Sequence, residues 1–428
     1  MILINDSFVN YLNDNHSQQA TISERHYREW IESAVDLAII ALNVESLEGD
    51  DALERLTENA IESIGKDQKV PHSYQYATAP VAKILNRYSD MSSEGWWASG
   101  IDVLIGQPSQ WGCFKPDRPR LSQEKLKPIK YEHPAKCPTE IFALRVSYRI
   151  GLKIAKKYDL RDQYVERILK ANDSGEKAKR SKSAGFGLSA DPPTERDPNR
   201  AIRLPARDFS LSDNLDPIQE AAFLSLDPDI LDSEDRDFWQ WVIERPSIDL
   251  LITEGAKKAG SLLSAGYAAI ALPGIFNGYR QEKDSLGNAI GMPRLIPQLL
   301  PFSGGGREIA FFFDQDIKAG TIKNVRRAIE RTGHLLGSRG CKVSVARWPS
   351  EFKGIDDFIA SQGGEALDQI FSERISLAAY KIENFSAITP DLIINERYIP
   401  QSLEVPESAK IIGIKAPKGS GKTEWISE

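Results

Sequence analysis

Two stretches decide the fold of this chain: Leu250-Leu251-Ile252-Thr253-Glu254-Gly255 and, sixty residues on, Phe311-Phe312-Phe313-Asp314-Gln315-Asp316. Each is an apolar run of strand length that stops abruptly at an acid and is followed by helix-like sequence. In an open α/β sheet, ligands collect outside the C-terminal strand ends, so neighbouring strands of this kind bring their acids to one rim. Asp314 and Asp316 lie two apart, which in extended chain sends both side chains to the same side.

Carboxylates crowded in this way repel, and a hard divalent cation with oxygen ligands relieves the repulsion. Glu254, Asp314 and Asp316 are therefore candidate ligands for Mg²⁺ or Mn²⁺, with Glu254 also a candidate general acid/base. A second reading stays open: the acids only favour the N-termini of the helices that follow, where the helix dipole welcomes negative charge.

Between and beyond these runs, the sequence alternates. A helix over Phe238–Ile243 leads into the first strand, a helix reaches Ala265, and a strand covers 268–272 before Pro273-Gly274 turns. A long helix is expected from Lys318 to Gly340, with Ile322, Val325, Ile329 and Leu336 inward, and a strand from Lys342 to Trp348. Repeated strand–helix units predict a parallel, doubly wound sheet.

Thr253-Glu254-Gly255 and Asp314-Gln315-Asp316 after hydrophobic strands resemble the toprim domain of bacterial primases, topoisomerases and some nucleases. The longer string Ile252-Thr253-Glu254-Gly255-Ala256-Lys257-Lys258-Ala259-Gly260, with Ala271-Leu272-Pro273-Gly274 and Gly278-Tyr279-Arg280, resembles cyanobacterial plasmid replication proteins, in which a primase-like half precedes a helicase half. The resemblance covers roughly residues 90–428. It implies Mg²⁺ at the acids, with Asp356 as a further candidate, nucleoside triphosphates as substrate, and DNA as template or origin. Toprim nuclease activity, or a non-catalytic DNA-binding role, are the alternatives.

The fold expected is thus α/β: a toprim-like parallel sheet domain at 249–375, preceded by a mainly helical region at 1–85 and a mixed α+β region at 86–248 with a linker near 171–200. Residues 376–428 are expected to hold a linker and the start of a P-loop helicase domain. The basis for the last expectation is Ala416-Pro417-Lys418-Gly419-Ser420-Gly421-Lys422-Thr423 after a short hydrophobic strand. There the amides around Gly419 and Gly421 would cradle phosphates, Lys422 would reach the β/γ oxygens and Thr423 would hold Mg²⁺. Because the strands and Walker B acid of an ATPase would have to follow Glu428, the chain is expected to be the N-terminal part of a longer primase-helicase.

A net charge of −7 over 428 residues argues against a uniformly basic DNA-coating surface and leaves room for local patches. Candidate nucleotide- and DNA-binding residues are Lys257, Lys258, Arg280 and Lys318 around the acids. Lys115, Arg118, Arg120 and Lys130 are further candidates, interleaved with Trp111, Phe114 and Tyr131. A helix is expected from Thr139, with Phe142, Val146, Ile150 and Ile154 buried and Arg145, Arg149, Lys153 and Lys157 forming a basic ridge that could track a nucleic-acid backbone. Three cysteines, no apolar run of membrane-spanning length and no secretory leader predict a cytoplasmic protein.

Overall fold

The computed structural model describes residues 22–68, 79–88, 94–122, 127–171, 228–315 and 318–385. The chain divides into two compact units, Met1–Arg374 and Ile375–Glu428. Of the second, the two-residue strand Ile375–Ser376 and a helix over Leu377–Phe385 are described. The first unit gathers the helical, mixed and parallel-sheet regions together.

Its N-terminal part opens with helix α1 (Glu24–Ile31), capped by Ser23, and α2 (Leu37–Asn43), capped by Asp36. Strand β1 (Val44–Leu47) follows, then helices α3 (Asp50–Gln68) and α4 (Ala79–Arg87). Strands β2 (Gly95–Asp102) and β3 (Gln107–Pro116) complete an antiparallel sheet in the order β1-β2-β3. The aromatic texture of this stretch makes core: Trp96, Trp97, Trp111 and Phe114 are all buried, each worth on the order of 2–3 kcal/mol of burial.

The helix expected from Thr139 starts later. Ser147 caps α5 (Tyr148–Lys157), its hydroxyl accepting from the Ile150 amide at 3.4 Å. The residues before it are extended and buried on both sides, because they join two sheets. Phe142 exchanges backbone hydrogen bonds with Ala271 at 2.8 and 3.0 Å, and the Ile101 amide donates to the Ala143 carbonyl at 2.8 Å. A methyl group at Gly100 would lie 2.1 Å from that carbonyl oxygen, so only glycine permits the approach. Asn43 continues the pairing by exchanging side-chain hydrogen bonds with the Arg145 backbone.

The C-terminal part is the parallel sheet. Helix α6 (Phe238–Ile243) precedes β4 (Leu250–Glu254), and α7 (Ala256–Ser264) leads to β5 (Ala269–Leu272). A hairpin, β6 (Tyr279–Lys283) and β7 (Ala289–Leu295), follows. Then come β8 (Glu308–Phe312), α8 (Ala319–Gly337), β9 (Lys342–Val345), α9 (Ile355–Gln362) and α10 (Gly364–Ser372). The strands lie in the order β9-β8-β4-β5, every pairing parallel. Their residues are buried without alternation, as a sheet covered on both faces requires. In α8 the buried face is Ala328, Ile329, Thr332, Gly333 and Leu336, while Ile322, expected inward, is 46% exposed.

From β4 the chain crosses to β5 on one side; from β8 it crosses to β9 on the other. Right-handed crossovers running in opposite directions put α7 and α8 on opposite faces. The boundary between β4 and β8 is therefore the topological switch point, where a crevice opens outside the C-terminal strand ends.

Arg307 locks α6 onto this sheet. Its guanidinium is buried and donates to the Val242 and Ile243 carbonyls at 2.8 and 3.1 Å and to the Ile248 carbonyl, satisfying groups that the helix end leaves unpaired.

Candidate metal and phosphate site at the switch point

Glu254 ends β4, and Asp314 lies two residues beyond the end of β8. The register sets Thr253 against Phe312, and the Thr253 hydroxyl donates to the Phe312 carbonyl at 2.7 Å, so both acids emerge side by side at the switch point. Gly255, at φ 87°, turns the chain there into α7. Asp356 arrives from the N-terminus of α9 and is 7% exposed. The structure thus brings Glu254, Asp314 and Asp356 to the same rim. Asp316 lies outside the described residues.

A lysine stands among these acids. The Lys258 ammonium, from the first turn of α7, is 3.3 Å from Asp314 Oδ1. This is an ion pair whose geometry falls short of a hydrogen bond: Asp314 Oδ1 has no hydrogen-bonding partner, nor has the buried Asp356 Oδ1. A methyl group at Gly354 would lie 2.3 Å from Asp356 Oδ1 and 3.0 Å from Lys258 Cε, so the lysine arm and this carboxylate close over the same small space. Asp357, whose Oδ2 would lie 3.3 Å from the same methyl, accepts from the Gly354 amide at 3.1 Å.

The electrostatics follow from burial and crowding. Burial pushes the Glu254 carboxyl up, and Asp314 adds to the push; Lys258 and Lys353 only partly offset it. Burial also raises Asp314, with Lys258 opposing and Asp356 reinforcing. For Lys258, burial works against the charge, but Asp314, Asp356 and Glu254 outweigh it and hold the ammonium above the ordinary lysine range.

These residues fit a divalent cation in donor chemistry: oxygen ligands, two of them without hydrogen-bonding partners, and two carboxyls whose charge needs compensation. They are not yet gathered as a cage. Among the described residues no three His, Cys, Asp or Glu side chains lie close enough to hold a metal, and Lys258 supplies the positive charge instead.

Beside the acids is a second cluster. Glu29 of α1 accepts from Lys115 at 2.6 Å, Lys257 at 3.0 Å and the Trp96 indole at 3.0 Å. Burial alone would raise Glu29, but the two lysines and the indole pull it down to about 2. Tyr131, 46% exposed, tilts against Trp96 at 6.1 Å and feels Lys258, Glu29 and Asp356.

Several expected nucleic-acid contacts are therefore engaged within the chain. Lys115 and Lys257 are held by Glu29. Arg120 pairs with the buried Glu132 at 2.7 Å and lies over Tyr88. Arg280 donates to the Thr139 carbonyl at 2.8 Å. The expected basic ridge is likewise engaged: on α5 Arg149 pairs with Asp36 and Asp232 at 2.8 Å each and Lys157 pairs with Asp368, while Arg145, in the extended segment before α5, lies 3.8 Å from Glu234. Arg118, Lys130 and Lys318 are exposed. Gly419, Gly421, Lys422 and Thr423 lie outside the described residues.

Comparison with known proteins adds the following. A family described as a domain of unknown function, DUF3854, matches residues 238–366, which contain Glu254, Asp314, Asp316 and Asp356. An uncharacterized protein of Picosynechococcus sp. is 36% identical over 441 residues, spanning 100% of this chain and 36% of its own length. The chain thus spans about a third of that relative. Two solved structures are similar at TM-scores of 0.38 and 0.39: the zinc-binding and RNA polymerase domains of the Aquifex aeolicus primase (12% identity; 88% of this chain, 62% of that one) and the RNA polymerase domain of the Mycobacterium tuberculosis primase DnaG (11% identity; 87% and 84%). Likeness at that level assigns no role to any residue. Among the described residues, no helix is long and apolar enough to cross a membrane.

Proposed function

We propose that this chain carries the primase part of a cytoplasmic primase-helicase and joins nucleoside triphosphates on a DNA template with Mg²⁺ or Mn²⁺. The observation that carries the reading is the meeting of Glu254 and Asp314 at the switch point with Asp356 Oδ1 unpartnered beside them. The toprim resemblance of the same strings supports it.

Glu254, Asp314 and Asp356 would hold the cation, with Asp316 the remaining candidate. A divalent ion bound there orients nucleotide phosphates and offsets the charge that develops on their oxygens. Standing beside the ion instead of on it, Glu254, raised by burial, would take the proton of the attacking hydroxyl. Tyr131 offers an exposed aromatic face on which a base can stack. Arg118, Lys130 and Lys318 provide exposed positive charge for the template backbone. The string ending in Lys422-Thr423 is read as the start of an ATP-driven helicase part.

The test is synthesis of short oligonucleotides on single-stranded DNA from nucleoside triphosphates with Mg²⁺ or Mn²⁺. Activity lost in Glu254→Gln and Asp314→Asn, with folding intact, supports the reading. Unchanged activity in both variants overturns the site. Metal-dependent cutting of DNA without synthesis would favour a nuclease. DNA binding retained with all three acids neutralised, and neither activity, would favour a non-catalytic module.

A further inference from the structure

We infer that Lys258 is a built-in counter-ion that holds the acid site together without metal, and that a divalent cation enters only by displacing its ammonium, freeing it for an incoming phosphate. This rests on the cation-site reading of Glu254, Asp314 and Asp356 and adds what competes for that site.

Three observations support it. Lys258 has the wrong charge for its position: it lies in the first turn of α7, where the helix dipole favours acids, and Lys257 beside it is a second cation. The neighbouring α9 follows the ordinary rule, with Asp356 and Asp357 in its first turn. A residue that breaks a local preference needs a reason elsewhere, and here it is the three carboxylates around the ammonium.

The contact with Asp314 is also a poor hydrogen bond. At 3.3 Å the ammonium neutralises the carboxylate without satisfying its inner oxygen. A divalent ion does both at once, because it sits within direct bonding distance of each oxygen. The Lys258 arm, finally, occupies the space over Gly354 into which Asp356 Oδ1 points. A metal held jointly by Asp314 and Asp356 and an ammonium at its present place are two like charges within a few ångströms, in a setting where water screens little. One must leave, and the long flexible lysine is the one that can.

Once displaced, Lys258 stays tethered at the helix N-terminus beside the crevice, within reach of a phosphate bound to the same ion. It is thus a positioning residue for the triphosphate and a competitor of the metal.

The experiment is calorimetric titration of the purified chain with Mn²⁺ alone, in wild type, Lys258→Met, Lys258→Arg and Asp314→Asn. The inference expects Lys258→Met to bind Mn²⁺ about ten-fold more tightly than wild type, Lys258→Arg to stay near wild type, and Asp314→Asn to lose the site. It also expects metal-free Lys258→Met to melt below wild type and to regain more of its stability on adding Mn²⁺. Lys258→Gln takes its place if the methionine variant does not fold. If wild type binds Mn²⁺ through Asp314 but removing the charge of Lys258 leaves affinity unchanged or weakens it, the counter-ion role is overturned while the cation site stands. If neither wild type nor the Lys258 variants bind Mn²⁺ in a way that Asp314→Asn abolishes, the cation site itself fails.

Discussion

Replacing Glu29 by glutamine keeps the shape of the side chain and its acceptor for the Trp96 indole, and removes the charge that holds Lys115 and Lys257. The carboxyl falls from its ordinary 4.5 to about 2 in the folded chain. At ~1.36 kcal/mol per pH unit this corresponds to roughly 3 kcal/mol, were the group fully shielded. The side chain is 25% exposed, so solvent screening reduces the expected contribution to about 1–2 kcal/mol. The sign follows from the lowered value: the contribution is complete above about pH 4.5 and disappears as pH falls through about 2, with roughly 40% left at pH 3. Urea unfolding of wild type and Glu29→Gln at pH 7, 4 and 3 reads this directly. The gap should be 1–2 kcal/mol at pH 7, on the estimate above, and narrow to less than half at pH 3. A gap that is absent at pH 7, or constant from pH 7 to 3, would refute the charge network as the tie between α1 and the acid rim.

Four further expectations are independent of that network. Arg307→Met leaves the carbonyls at the end of α6 without their charged donor and should cost about 3 kcal/mol in chemical denaturation, with no specific effect on metal binding. Gly354→Ala puts a methyl 2.3 Å from Asp356 Oδ1 and forces that carboxylate aside, so it should weaken Mn²⁺ binding several-fold while lowering stability by only about 1 kcal/mol. Arg149→Met, which strips Asp36 and Asp232 of their partner, should cost about 1–3 kcal/mol of stability and leave the salt dependence of DNA binding unchanged; the pair Arg118→Ala and Lys130→Ala should lower the salt slope and leave stability alone.

The sheet was legible because its two central strands, β4 and β8, are largely apolar five-residue runs leading to Glu254 and Asp314; few other arrangements hide Leu250–Ile252 and Ile309–Phe312 completely. The basic candidates were less legible. Charge spacing suggests one helical ridge for Arg145, Arg149 and Lys157, but Arg145 falls outside α5 and the partners Glu234, Asp36, Asp232 and Asp368 come from distant parts of the chain. The stripe at Phe142 and Val146 misled for a related reason: a segment wedged between two sheets is apolar on every side, and such a run carries no period of its own. Glu29 had no sequence signal at all, since an acid on an amphipathic helix reads as solvated until Lys115 and Lys257 are folded against it.

The central claim is that Glu254, Asp314 and Asp356 share one divalent cation next to a nucleotide. Crystals of the chain soaked with Mn²⁺ and a nucleoside triphosphate, measured for anomalous scattering, test it most directly. The account predicts a manganese peak bonded to Asp314 and at least one of the other two acids, with the Lys258 ammonium moved onto a phosphate oxygen. Manganese bound elsewhere with the Lys258–Asp314 pair still in place would contradict it.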